Sequence, residues 1–157
     1  MDNILISLFF SLTGFGLLGM LFGIVTVCLS LRIPEAPDYA HGYIGRVMVI
    51  LVGIVNTILN ILPVSIGLIG VYVEESTKLL LGFSIIFYIF AIPNACALGW
   101  FAIRIGSGNN STGKIARAFF LILIFIYLVE GVLMSHAMCL KTMTGMMKPD
   151  EQPVEVE

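Results

Sequence analysis

The chain has 157 residues, 59% hydrophobic and only 11% charged, with a formal net charge of −2 and a mean hydropathy of +1.04. A soluble domain carries about 25% charged residues, so this composition cannot cover a water-facing globule, and neither a soluble enzyme nor a nucleic-acid-binding module fits it. The solvent that does fit is lipid, whose hydrocarbon core takes roughly 20 apolar residues per helix.

The first apolar stretch, 4–31, contains no charge and predicts a membrane-spanning helix. Asp2 is the only charged side chain before it, the run is longer than a signal-peptide core, and no small-x-small site follows at 29–33, so it reads as a retained helix. Gly16, Gly19 and Gly23 lie along it. Small residues at such spacing let helix backbones approach closely. A first loop follows from Arg32 toward Arg46, with Pro34, Pro37 and Asp38.

The second stretch, 43–73, predicts another span. It holds Asn56 and Asn60 one turn apart, followed by Pro63, which frees the Leu59 carbonyl. Paired amides in lipid seek partners on other helices. This polar turn is expected to face Glu130 of the last span, with plain interhelical bonding as the alternative. Residues 74–78 form a short second loop.

The third span, 78–105, carries Ala91, Ala95 and Gly99 at four-residue steps, another small-residue stripe. Pro93 and Asn94 are expected to kink it. The third loop is Gly-, Ser- and Asn-rich, flanked by Arg104, Lys114 and Arg117. No strand precedes it and no Walker spacing follows, so it is not a phosphate cradle.

The fourth span, 114–140, is interrupted in its apolar run only by Glu130 and His136. Glu130 is the one carboxylate inside any span. Intramembrane acids mark ion and proton pathways, and desolvation favours the neutral form of a carboxyl. The competing reading is a neutral Glu bonded to a neighbouring helix. Tyr127, three residues earlier, shares its face and is placed to support it. His136 comes six residues later, about 240° round the helix, on another face and nearer the membrane edge. It reads as a satisfied interfacial histidine rather than a relay. The tail, 142–157, is acidic, contains two prolines and reads as disordered.

These segments give an all-α, polytopic fold: four transmembrane helices as two antiparallel hairpins. Each hairpin is a small-residue helix followed by a polar one. Spans this continuous must be helices, because lipid satisfies no backbone group. Loops one and three hold five Lys and Arg residues (Arg32, Arg46, Arg104, Lys114 and Arg117), and the opposite side holds three (Lys78, Lys141 and Lys148). This bias predicts both termini on the non-cytoplasmic side, leaving the glycosylation patterns at Asn109 and Asn110 cytoplasmic and unmodified. Cys28, Cys96 and Cys139 are too widely spaced for a metal site or a disulfide framework and read as small hydrophobes packed between helices. No cofactor or metal fingerprint appears.

Several stretches resemble the proteolipid (c-type) subunit of the vacuolar-type proton ATPase rotor. Phe9-Phe10-Ser11-Leu12-Thr13-Gly14 is similar to that family's first helix. Leu121-Ile122-Leu123-Ile124-Phe125, shortly before Glu130, is similar to the run preceding its proton-carrying glutamate. Residues 99–105, the Gly-rich loop and Arg117 are similar to its third-to-fourth connection. Here the third helix is bulkier over 83–90, and the glutamate stands about one turn later. The resemblance implies a V-type ATPase subunit without a catalytic site of its own, lying in an endomembrane among identical or homologous subunits of a ring. Glu130 would carry protons, in contact with lipid and the ATPase's other membrane subunits. The alternatives are a non-catalytic four-helix accessory, scaffold or trafficking protein, and a small transporter built as an oligomer of hairpin repeats.

Overall fold

The computed structural model describes residues 3–31, 42–73, 77–105 and 111–146. Helix α1 is Asn3–Ser30, α2 Gly42–Leu59, α3 Ile61–Tyr72, α4 Thr77–Ile105 and α5 Ser111–Met146, with no strand among the described residues. Four apolar spans result, α2 and α3 together forming the second. Residues 32–41, 74–76, 106–110 and 147–157, with the Asn109 and Asn110 patterns, lie outside the described residues.

The second and fourth spans differ from the sequence reading. The second span is interrupted at Asn60, where Pro63 has no N–H to give Leu59. The ladder resumes through Val64 N–H to Asn60 O at 3.5 Å. The third span is helical throughout with Pro93 inside it, the proline exposed. The fourth helix runs past both expected ends, so residues 142–146 are helical. Thr142 and Thr144 hydroxyls donate there to carbonyls of the preceding turn.

The buried positions explain the packing. Along α1 they are Leu5, Phe9, Leu12, Gly16, Gly19, Gly23, Thr26 and Ser30, alternating steps of four and three. On α5, Ala116, Phe120, Leu123, Tyr127, Glu130, Met134, Ala137 and Lys141 keep the same alternation. A seven-residue repeat is the spacing of helices that pack along their whole length at a small crossing angle. The outer faces are as apolar as the inner ones: Ile4, Ile89, Ile103, Phe125 and Leu128 all point outward. In water this would be an aggregating surface; in a bilayer it is the surface that lipid wets.

Helix α1 packs against α2, α3 and α5, and α4 packs chiefly against α5. The first contact is very close. A Cβ on Gly23 would lie 2.5 Å from Thr57 Oγ1, one on Gly16 would lie 2.8 Å from Val64 Cγ2, and one on Gly19 would overlap the Asn60 amide. At the terminal end of the bundle, Lys141 is 6% exposed; its Nζ donates to Val73 O at 3.3 Å and sits 5.7 Å above the Phe9 ring. One side chain thereby ties α1, the end of α3 and α5.

Substituting Gly19 with Val is expected to destabilise the bundle by about 1–3 kcal/mol, the usual cost of overpacking. Gly14→Val, where a Cβ meets nothing within 4 Å, is the control and should be near neutral. Unfolding of the two variants in detergent, followed by circular dichroism, measures the difference.

Candidate functional site: a polar layer at mid-membrane

The seven-residue stripes bring nearly every strongly polar span residue to one level. Asn56 and Asn60 on the second span and Glu130 on α5 are all fully buried, at 0% exposure. Asn94 on α4 and Tyr127 on α5 complete the layer, with Gly19 of α1 giving the room that the Asn60 amide occupies.

The bonds run between three spans. The Tyr127 hydroxyl donates to Asn56 Oδ1. Asn94 Nδ2 donates to Asn56 Oδ1 and to the Tyr127 oxygen, each at 3.1 Å. The remaining amide donors turn back on their own helix: Asn56 Nδ2 to Val52 O and Asn60 Nδ2 to Asn56 O, both at 2.7 Å. Such back-bonding satisfies amide donors that lipid cannot solvate.

Three oxygens are left over. Asn60 Oδ1 and both carboxyl oxygens of Glu130 are buried with no hydrogen-bond partner. Tyr127 precedes Glu130 by three residues on the same buried stripe of α5, and its hydroxyl is already given to Asn56. All three orphans are acceptors, so the layer is short of donors. An ionised, unpaired carboxylate in that setting costs several kcal/mol, whereas a protonated one brings its own donor.

Of the residues singled out from the sequence, Asn56 and Tyr127 bond each other, while Asn60 and Glu130 are buried with unbonded side-chain oxygens. Gly16, Gly19 and Gly23 line the close seam between α1 and the second span. Ala91, Ala95 and Gly99 lie on α4 toward α5, where packing is looser: a Cβ on Gly99 would meet only Ile124 Cδ1, at 3.9 Å. His136 is exposed on the outside of α5, its Nδ1 2.9 Å from Val132 O. The three cysteines are exposed on outer faces, and no His, Cys, Asp and Glu cluster able to hold a metal occurs among the described residues.

Sequence reasoning passed over Asn94 except as a neighbour of Pro93. A lone amide in an otherwise apolar span was the signal available, because such a group must find a partner on another helix. It also passed over Tyr88, whose hydroxyl donates to Gly131 O at 2.7 Å and lies 2.6 Å from Ser135 Oγ.

A double-mutant cycle of Tyr127→Phe and Asn56→Leu is expected to give a coupling of about 0.6–1.7 kcal/mol, the range of interhelical bonds in membranes. Unfolding of the four proteins in detergent measures it; additive effects would show that the bond contributes nothing.

No protein-family model matches the chain, and comparison with curated proteins and with solved structures likewise gives no match.

Proposed function

We propose that this protein is a proton-translocating proteolipid, in which Glu130 takes up and releases a proton within the membrane. The observation that carries this reading is a fully buried carboxyl near the middle of the fourth span, with neither oxygen bonded. Such a group is tolerated while protonated and becomes costly once ionised. It can therefore hold a proton in lipid and yield it where water or a cation arrives. Tyr127, Asn56 and Asn94 position the layer, and Asn60 Oδ1 is a further acceptor in it.

On the resemblance, identical or homologous copies form a ring beside the other membrane subunits of a V-type ATPase, in an endomembrane with both termini non-cytoplasmic. Within its own chain Glu130 points into the bundle, so proton exchange needs either a path between helices or an opening of the α4–α5 seam.

A second reading, a non-catalytic accessory, scaffold or trafficking protein, is favoured by one observation. The glycine stripe of α1 is consumed inside the chain, against Asn60, Thr57 and Val64, rather than left for packing between subunits. Glu130 would then be a core contact.

Dicyclohexylcarbodiimide, which attacks protonated carboxyls in apolar settings, separates the two. The proton-carrier reading expects selective modification of Glu130 by mass spectrometry, strongest at low pH and lost as pH rises and the acid ionises. It also expects Glu130→Gln to abolish proton uptake while the protein still assembles in the membrane. Absence of modification, or lost assembly with unimpaired uptake, would favour the scaffold.

A further inference from the structure

Helices α4 and α5 pack against each other but leave part of their seam open. Between them runs a groove of about 380 Å³. It is open because small residues face it: Ala91 and Ala95 from α4 and Gly131 from α5. A Cβ on Gly131 would reach only ordinary contact with Tyr88, at 3.5 Å.

The groove is apolar along most of its wall but polar at one end. There Tyr88 bonds Gly131 O and Ser135, and exposed His136 stands beside them. His136 Nδ1 is engaged with Val132 O, which leaves Nε2 as the nitrogen for a further partner. Exposed Ser and His are poorly matched to lipid chains and well matched to water.

Their depth fits the same view. The fourth span, Lys114–Thr144, has 31 residues, about 46 Å of helix against a hydrocarbon core of about 30 Å. A centred helix puts His136 within about one turn of the terminal-side boundary and Glu130 beside the midplane. At its inner side the groove is walled by Tyr127, whose ring faces the opening while its hydroxyl sits in the buried layer. Glu130, with its unbonded carboxyl, follows Tyr127 by three residues on the same buried stripe of α5.

We propose that this groove is a water-filled entry path from the terminal face of the membrane to Glu130. Tyr88, Ser135 and His136 form its mouth, and Tyr127 its inner gate. The volume has room for on the order of ten waters at about 30 Å³ each. The path rests on the reading of Glu130 as a proton carrier and adds where the proton enters: through the chain's own α4–α5 seam.

The test uses the full chain in lipid vesicles, with Cys28, Cys96 and Cys139 replaced by Ala. Single cysteines are placed in the groove (Ser135→Cys, Val132→Cys, Leu128→Cys) and at exposed positions of α4 that do not line it (Ile86→Cys, Phe90→Cys). A membrane-impermeant, water-borne thiol reagent is then applied from the terminal side. Thiolate is the reactive form and lipid suppresses ionisation, so groove positions are expected to react about tenfold faster than the lipid-face pair, or more. Gly131→Leu, which fills the groove, should return Leu128→Cys to the lipid-face rate. Groove cysteines as inert as Phe90→Cys would overturn the path and make the groove a lipid site. Disulfide-linked dimers through Ser135→Cys would overturn it in favour of a second copy. Carbodiimide labelling of Glu130 in the same vesicles distinguishes the failures: retained labelling with inert groove cysteines removes only the path, and lost labelling removes the carrier itself.

Discussion

The constraint on which everything else depends is that hydrocarbon offers no hydrogen bonds. Each polar group in a span must be closed by the protein or bear the cost. Most are closed locally. Thr13, Thr26, Thr57 and Ser84 donate to the carbonyl four residues back, and Asn56 and Asn60 do the same with their amide donors. What local bonding cannot close is gathered into one layer, where Tyr127, Asn94 and Asn56 satisfy one another across three spans. Because these bonds join particular atoms, they fix the axial register of helices whose apolar contacts alone would permit sliding. The layer is thus a stabilising device and a chemical site at once. The groups that it fails to satisfy, above all Glu130, are the ones available for function.

Packing divides the bundle into a tight half and a loose half. Apolar burial gives little drive between helices that are already in lipid, so close van der Waals contact does the work. On one side glycine makes this possible: α1 lies so close to the second span that no Cβ fits at Gly16, Gly19 or Gly23. On the other side, Ala91 and Ala95 carry the Cβ that the α1 glycines lack, and a groove remains beside them and Gly131. Phe87, Tyr88 and Tyr127 form a cluster of rings there, with centroids 5.8 and 6.0 Å apart. The closed seam anchors Asn60, and the open one passes beside Tyr127. The polar layer is therefore held rigidly from one side and approachable from the other.

The charged end of the bundle obeys the same rule by different means. Lys141 lies just past the apolar run, and its long stem packs inward while its ammonium bonds Val73 O and covers the Phe9 ring. A cation near a helix C-terminus also suits the negative end of the peptide dipoles. This accounts for a helix that continues beyond the expected boundary at 140 instead of fraying there.

Much of the fold was legible in the sequence. Four apolar runs longer than a bilayer is thick leave no other structure open to them, since only helices close their own backbone in lipid. Glu130 stood out for the same reason, as did its shared face with Tyr127, which the helical repeat fixes. Which faces turn inward was not legible: with lipid outside and packed side chains inside, both faces are apolar, and the usual amphipathic signal vanishes. Tertiary structure decided that Asn94 joins the layer, that the glycines of α1 meet the second span while the alanines of α4 border an open groove, and that the second span breaks at Asn60 while Pro93 leaves its helix intact. Composition and length, then, determined the solvent and the number of crossings, because the bilayer tests each segment separately. Partner choice and close contact were decided only in the assembled bundle, because they depend on the shapes of several helices at once.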